Sequence, residues 1–414
     1  MGRGPMASDT DDFYTSGPCH LTSIDWNNSH HRTSVVSSLV NGVYTLERDR
    51  LLSRKKRYRY KLGLRHPLKP LAEPWWEFFN FEWIQNLTDD DGSIYGAVFE
   101  YKSYNVYQNS PHVMKVPHYV MAFRGTVLKK RTLKFDLKLD LQCIFNTLHQ
   151  GGRSRHAIQA IRNMVDKHSQ QDIWLAGHSL GAALVLLAGK TMTSAGFFLE
   201  SYIFNPPISS IPLEQLPGGR YLKDVFQTAK SVVKGTIAMT LTHLLQGQEE
   251  YNTKTASWIP NLYVNPKDPI CAGYIDYFRR RDFMSEIGAG QIERFGARNS
   301  VRSILVGIIR RSPSDLSKEP LHLLLSADMT VNKNKPTTST TAHALHQWWE
   351  KDTAMRENWE SCCIRPYHDG QLTLEFYSVL VLLIIQVAAD GNVEFHHRLK
   401  LFVNLVLNFL LKFY

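Results

Sequence analysis

The sequence predicts an α/β fold, with a mostly parallel central sheet covered by helices on both faces. Three observations predict it. Short β-rich runs alternate with segments of helical periodicity, which implies parallel strands joined by crossover helices. An apolar run at Ile173–Ala176 meets a sharp Gly-rich turn and then a long helical segment. The 414 residues, 43% hydrophobic and 11% aromatic with nine Trp, suffice to build one large domain rather than several small ones.

In chain order, residues 1–20 are polar and expected to be loose, and residues 21–353 form the expected domain. Thr33–Leu52 places Val35, Val36, Leu39, Val40, Val43 and Leu46 at helical spacing, which marks a core-facing helix. The aromatic stretch Trp75, Trp76, Phe78, Phe79, Phe81 and Trp83 reads as packing under the sheet, with an acyl pocket as the other option. Strands are expected at Ile94–Tyr101, His118–Phe123, Ile173–Ala176, Ser201–Phe204, Asn261–Val264 and Leu321–Leu325. Helices are expected at Arg155–His168, Leu180–Met192 and Tyr274–Phe283, with a mainly helical insertion over Pro212–Ser257. Asn205-Pro206-Pro207 closes its strand because proline cannot continue a ladder. Residues 354–414 change character and form an apolar C-terminal extension. Its apolar run Phe376–Ala389 is shorter than the roughly 20 residues a bilayer span needs, leaving a docked hairpin, a surface anchor or an unfolded tail.

The formal charge of +10 gathers partly in Arg54–Lys61, a run suited to a solvated helix face or to an anionic membrane surface. No helix-turn-helix, zinc-finger or RNP pattern accompanies it, so nucleic acid is not an expected partner. Five scattered cysteines (Cys19, Cys143, Cys271, Cys362, Cys363) show neither a CxxC pair nor a zinc spacing and read as reduced thiols. Met1–Ser23 has no apolar secretion core, and Asp9, Asp11 and Asp12 argue against a transit peptide. The expected location is cytoplasmic, with peripheral membrane contact. Met6 stands where a myristoylation site wants Ser or Thr. No metal or organic cofactor is implied.

The chemistry centres on Gly177-His178-Ser179-Leu180-Gly181. Such a pentapeptide is weak alone, but here it ends an apolar strand and opens a helix. Gly177 and Gly181 permit the strained turn that presents a serine hydroxyl, and Ala182 and Ala183 let the helix approach the sheet. This is the nucleophile elbow of the α/β-hydrolase fold, and Ser179 is the expected nucleophile. A serine needs a histidine to take its proton and a carboxylate to orient that histidine. In this fold both follow the serine, the acid first. Asp268 lies in Asn265-Pro266-Lys267-Asp268-Pro269, just past a strand, and is favoured over Asp276, Asp282 and Asp328. His322 is inside an apolar strand, so the base is His343 or His346. His178 is expected to point away from the serine and to be structural. The oxyanion donors are expected at the backbone N–H of Leu180 and at Thr126, in the Phe123-Arg124-Gly125-Thr126 turn.

Phe123–Thr126 and Gly177–Ala183 together resemble the class 3 lipases, α/β-hydrolases that cleave acylglycerols and related glycerolipids. Ser201–Pro207 is similar to that family's strand and proline turn. His343 with Trp348 resembles its His-x-x-x-x-aromatic ending, which favours His343 and keeps His346 as the alternative base. Leu21–Trp26 and Leu262–Ile270 resemble a plant branch whose members sometimes carry the label GDSL esterase/lipase, although this chain has no Gly-Asp-Ser-Leu. The resemblance implies a serine hydrolase of a lipid ester (acylglycerol, phospholipid or galactolipid), with Val127–Leu148 as a lid. Lys129, Lys130, Arg131, Lys134 and Lys138 in that segment suit anionic lipid. The alternative is an inactive scaffold that binds lipid or a partner protein.

Overall fold

A computed structural model describes residues 18, 21, 23–61, 74–104, 116–126, 151–208, 255–286, 324–334, 338–349 and 356–366. The expected lid, residues 212–254 of the expected insertion, His322 and residues 367–414 of the tail lie outside them.

Among the described residues, eight strands form one sheet in sequence order: β1 (Phe81–Thr88), β2 (Ile94–Tyr101), β3 (Tyr119–Phe123), β4 (Ile173–His178), β5 (Glu200–Phe204), β6 (Asn261–Val264), β7 (Ala327–Asn332) and β8 (Trp359–Ile364). β3 to β7 run parallel, while β1–β2–β3 and β7–β8 are antiparallel. β3 and β4 are buried along their whole length, as strands covered on both faces must be, and so read as unbroken apolar runs.

Helices cover both faces. α1 (Ser29–Lys61) buries Val35, Val36, Leu39, Val40, Val43 and Tyr44 against Val120, Ala122, Trp174, Ala176, Tyr202 and Phe204, which alternate along β3, β4 and β5. α2 (Gly152–Lys167) and α3 (Leu180–Ser194) pack against one another, and α3 against β3, β4 and β5. Two further helices are α4 (Gly273–Glu286) and α5 (Ser339–His343). Among the aromatic stretch, Trp76, Phe79 and Phe81 join the core, whereas Phe78 is 61% exposed.

Two strands depart from the sequence reading, and a third lies just after an expected one. β1 and β8 are the edges of the sheet and are largely exposed, so neither carries a buried alternation that would announce it. β8 lies beyond residue 353, within the stretch assigned to the extension. Of the strand expected at Leu321–Leu325, residues 321–323 lie outside the described residues; the described strand that follows is Ala327–Asn332, where Ala327, Met329, Val331 and Asn332 turn inward. Leu324 and Leu325 precede that strand.

The chain divides into two compact units. One comprises Met1–Ser209, Glu249–Ile275 and Leu324–Arg365 and contains the whole sheet; the other comprises Ser210–Gln248, Asp276–Leu323 and Pro366–Tyr414. Among the described residues no helix is long and apolar enough to cross a membrane.

The packing of α3 gives a test. A Cβ at Gly189 would overlap the indole of Trp258, which is buried and held by a hydrogen bond from its Nε1 to the Leu199 carbonyl at 3.0 Å. Helix propensity favours alanine over glycine by about 1 kcal/mol, but overpacking costs about 1–3 kcal/mol, and the pinned indole cannot yield. Gly189→Ala is therefore expected to lower stability in denaturant unfolding. In a Trp258→Leu background the same substitution is expected to be neutral or stabilising.

Candidate active site

The turn after β4 is the most strained backbone in the site. Ser179 has φ 56° and ψ −122°, outside the regions an L-residue normally occupies, which costs of order 1–3 kcal/mol. Its surroundings hold it there. Its N–H donates to the Phe204 carbonyl at 3.0 Å, and its own carbonyl accepts from Ala183 at 3.1 Å in the first turn of α3. A Cβ at Gly177 would overlap the Gly181 carbonyl, and one at Gly181 would overlap that of Phe123. The two glycines thus allow β4, α3 and the end of β3 to meet closely enough to force the turn. Leu180 is the first residue of α3, where helix geometry leaves backbone N–H groups without an intrahelical acceptor. The Arg124-Gly125-Thr126 loop passes beside it, since a Cβ at Gly125 would stand 2.8 Å from the Ser179 Cβ.

Asp268 follows β6 and is wholly buried. Its Oδ2 accepts from His343 Nδ1 at 2.8 Å, Asn205 Nδ2 at 2.8 Å and Cys271 Sγ at 3.1 Å, and its Oδ1 accepts from the Ile270 N–H at 3.0 Å. Burial alone would raise its pKa. The adjacent His343 and these donors outweigh burial and hold the carboxyl below its usual range. An ionised carboxylate accepts only, so Nδ1 of His343 carries the proton and, in the neutral ring, Nε2 keeps its lone pair. His343 ends α5, and its ring centroid is 4.6 Å from that of His178, the residue before the serine. His346, three residues on, sits half-buried in the 3₁₀ turn Leu345–Trp349.

Asp328 projects from β7 toward Arg365 at 2.8 Å and is about half exposed. Asp276 lies in the first turn of α4, and the side chain of Asp282 is outside the described residues.

Sequence reasoning passed over the residues that join these loops. Asn205, at φ 48°, donates from Nδ2 to Asp268 and to the Ala342 carbonyl at 3.2 Å, while its Oδ1 accepts from Trp348 Nε1 at 2.8 Å. Gln347 donates to the Ala342 and Ala344 carbonyls at 2.7 and 2.8 Å and accepts from Asn265 at 2.8 Å. One amide therefore clamps Asp268 to the His343 segment, and the other fixes the segment's curve. The only sequence signal was Asn205 before two prolines, a strand end where a left-handed residue reverses the chain.

The sequence model of "Lipase (class 3)" matches residues 116–209, from the approach to β3 through the elbow and β5 to the Asn205 turn. A GDSL esterase/lipase of Arabidopsis thaliana is 40% identical over 358 residues, covering 84% of this chain and 97% of the relative. The chain belongs to the class 3 lipase family. No solved structure matches it. The class 3 lipase assignment makes this an α/β-hydrolase of lipase and esterase type. The family-model match takes in Thr126, Gly177, Ser179, Leu180 and Gly181, and the longer alignment with the relative covers most of the rest of the chain.

Asn205 offers a test of the clamp. Asn205→Ala leaves a buried carboxylate oxygen, a carbonyl and an indole N–H short of a partner and forces alanine into a left-handed backbone. Each buried unsatisfied group costs about 1–3 kcal/mol and the backbone about 1–2 kcal/mol. Asn205→Gly loses the same bonds without the backbone cost. Denaturant unfolding is expected to rank wild type above Gly above Ala, and equal stability of the two variants would refute strain at this position.

Proposed function

We propose that this class 3 lipase is a serine acyl hydrolase acting on a carboxylic ester of a lipid. The reading is carried by one observation: a buried, ionised Asp268 fixes His343 Nδ1–H at 2.8 Å beside the strained turn that holds Ser179.

The chemistry follows from that arrangement. Ser179 Oγ attacks the ester carbonyl carbon as its proton passes to His343 Nε2, and Asp268 stabilises the imidazolium without taking the proton. The oxyanion of the tetrahedral intermediate is met by the N–H of Leu180, at the positive end of α3, and by Thr126. His343 then returns the proton to the departing alcohol, which leaves an acyl ester on Ser179. Water, deprotonated by His343, attacks that ester and releases the carboxylate and free Ser179. No metal or cofactor is required by these steps.

A lipid substrate is supported by the family and by the esterase/lipase name of the Arabidopsis relative. The basic run Arg54–Lys61, which ends α1, and the lysines of residues 129–138 suit peripheral contact with an anionic membrane surface by a cytoplasmic enzyme.

The test is labelling with a fluorophosphonate alongside turnover of short and long acyl esters. Wild type is expected to label and hydrolyse, Ser179→Ala to do neither while unfolding normally, and Asp268→Asn to lose roughly 10⁴-fold in turnover through misorientation of the base. Hydrolysis that persists in Ser179→Ala refutes the mechanism. A folded wild type that neither labels nor hydrolyses would make the protein a lipid- or partner-binding scaffold.

A further inference from the structure

His178 and Tyr44 take no part in the steps above, yet they are buried and connect the two loops that do. His178 Nε2 lies 2.7 Å from the backbone carbonyl of His343, and its Nδ1 lies 2.8 Å from the hydroxyl of Tyr44. The same hydroxyl accepts the N–H of Gly125 at 2.8 Å.

The chemistry of the groups assigns every proton. A carbonyl only accepts, so Nε2 of His178 carries hydrogen. Burial first, and then the neighbouring His343, push the His178 pKa down to about 3, so the ring is neutral and Nδ1 accepts. The Tyr44 hydroxyl must donate to Nδ1, and its oxygen is left to receive Gly125. The chain therefore runs in one direction: Gly125 N–H to Tyr44 O, Tyr44 O–H to His178 Nδ1, and His178 Nε2–H to the His343 carbonyl.

Its ends matter more than its middle. One end is the backbone of the base itself, and the other is the residue before Thr126. Because Gly125 N–H is engaged by Tyr44, it is not the oxyanion donor, which leaves that role to the next residue in the loop.

We infer that Tyr44 and His178 are positioning residues, which hold the His343 segment and the Gly125–Thr126 loop in a fixed mutual geometry on either side of Ser179. This rests on the reading of Ser179 as the acylated nucleophile. Packing alone would not require it, since Phe and Leu could fill the same space without these bonds.

The experiment compares fluorophosphonate acylation rates, kcat and KM for wild type, Tyr44→Phe, His178→Leu, His178→Gln and the Tyr44→Phe/His178→Leu double variant, with ¹⁵N shifts of the His178 ring in the wild type. Misplacement of a catalytic group by about 1 Å costs on the order of 100-fold, so kcat and acylation are expected to fall roughly 10- to 100-fold, with KM within about threefold. His178→Gln should recover part of the loss, because its amide can still donate to the His343 carbonyl. The double variant should be no worse than the poorer single, since both break one chain. The wild-type ring should show the Nε2-protonated tautomer at neutral pH, a readout independent of variant folding. Folded single variants with wild-type acylation, additive losses, or an Nδ1-protonated ring would each overturn the inference. A wild type that does not label overturns the Ser179 reading and this one with it, whereas a labelling wild type with unaffected variants overturns this one alone.

Discussion

The backbone of Ser179 is held where a free chain would not leave it, and much of the architecture follows from that constraint. A φ of 56° with ψ −122° survives only where neighbours over-determine it. β4 must arrive as a straight, fully buried strand, α3 must depart at once, and the end of β3 must lie against both. Gly177 and Gly181 have no Cβ because backbone from the adjoining elements occupies that space. The hydrogen bond from Ser179 N–H to Phe204 extends the β4–β5 ladder by one residue into the turn, so the sheet itself anchors the strain. Burial of β4 and α3 on nearly all sides supplies stabilisation far larger than the few kcal/mol the turn costs.

A second constraint is electrostatic. Removing a carboxylate from water is expensive, and Asp268 has no exposed surface. Three donors and the adjacent imidazole offset that cost and keep the group ionised. Its contribution to stability is present above the ordinary carboxylate pKa and is lost as pH falls through the lowered one, so the charge paired with His343 also makes the fold sensitive to acid. The polar network works in both directions: satisfied, it locates the Asp268 loop, the His343 segment and the end of β5 relative to one another; missing one amide, it becomes a set of buried unpaired groups.

How much of this was legible in the sequence depended on where each residue's energy comes from. β2 and β6 and the cores of β3, β4 and β5 stood out because burial on both faces demands continuous apolar runs, and the elbow stood out because close approach demands glycine. Asp268 could be nominated from chain order and from a loop after a strand, and His343 over His346 from the family resemblance; the hydrogen bond between them is the added observation. The edge strands β1 and β8 were invisible because exposed strands carry little hydrophobic pattern. β7 was not named because the apolar Leu321–Leu325 run outweighed the modest alternation of Ala327–Asn332. Asn205, Gln347 and Tyr44 were missed for a common reason: each acts through a partner 63 or more residues away, or through carbonyls whose position only the fold supplies.

The first helix shows why such residues escape a linear reading. In α1, Tyr44 and Glu47 are separated by three residues and so share a face. Tyr44 accepts from Gly125, while Glu47 accepts the Ile94 N–H at 2.9 Å and lies 3.7 Å from the Arg124 guanidinium. Arg124 in turn donates to the Ile94 and Gly125 carbonyls, both at 2.6 Å. A segment that precedes every strand thus grips the Arg124–Gly125 loop from both of its residues. The apolar positions of α1 bury it against β3, β4 and β5, and that packing decides where its two polar side chains arrive. The buried arginine cannot shed its charge and breaking such a pair costs about 3–5 kcal/mol, so the loop is constrained by the core rather than by its own sequence. The placement of the Arg124–Gly125 loop is then a consequence of hydrophobic registry some 80 residues upstream, transmitted by two side chains whose spacing is only the pitch of a helix.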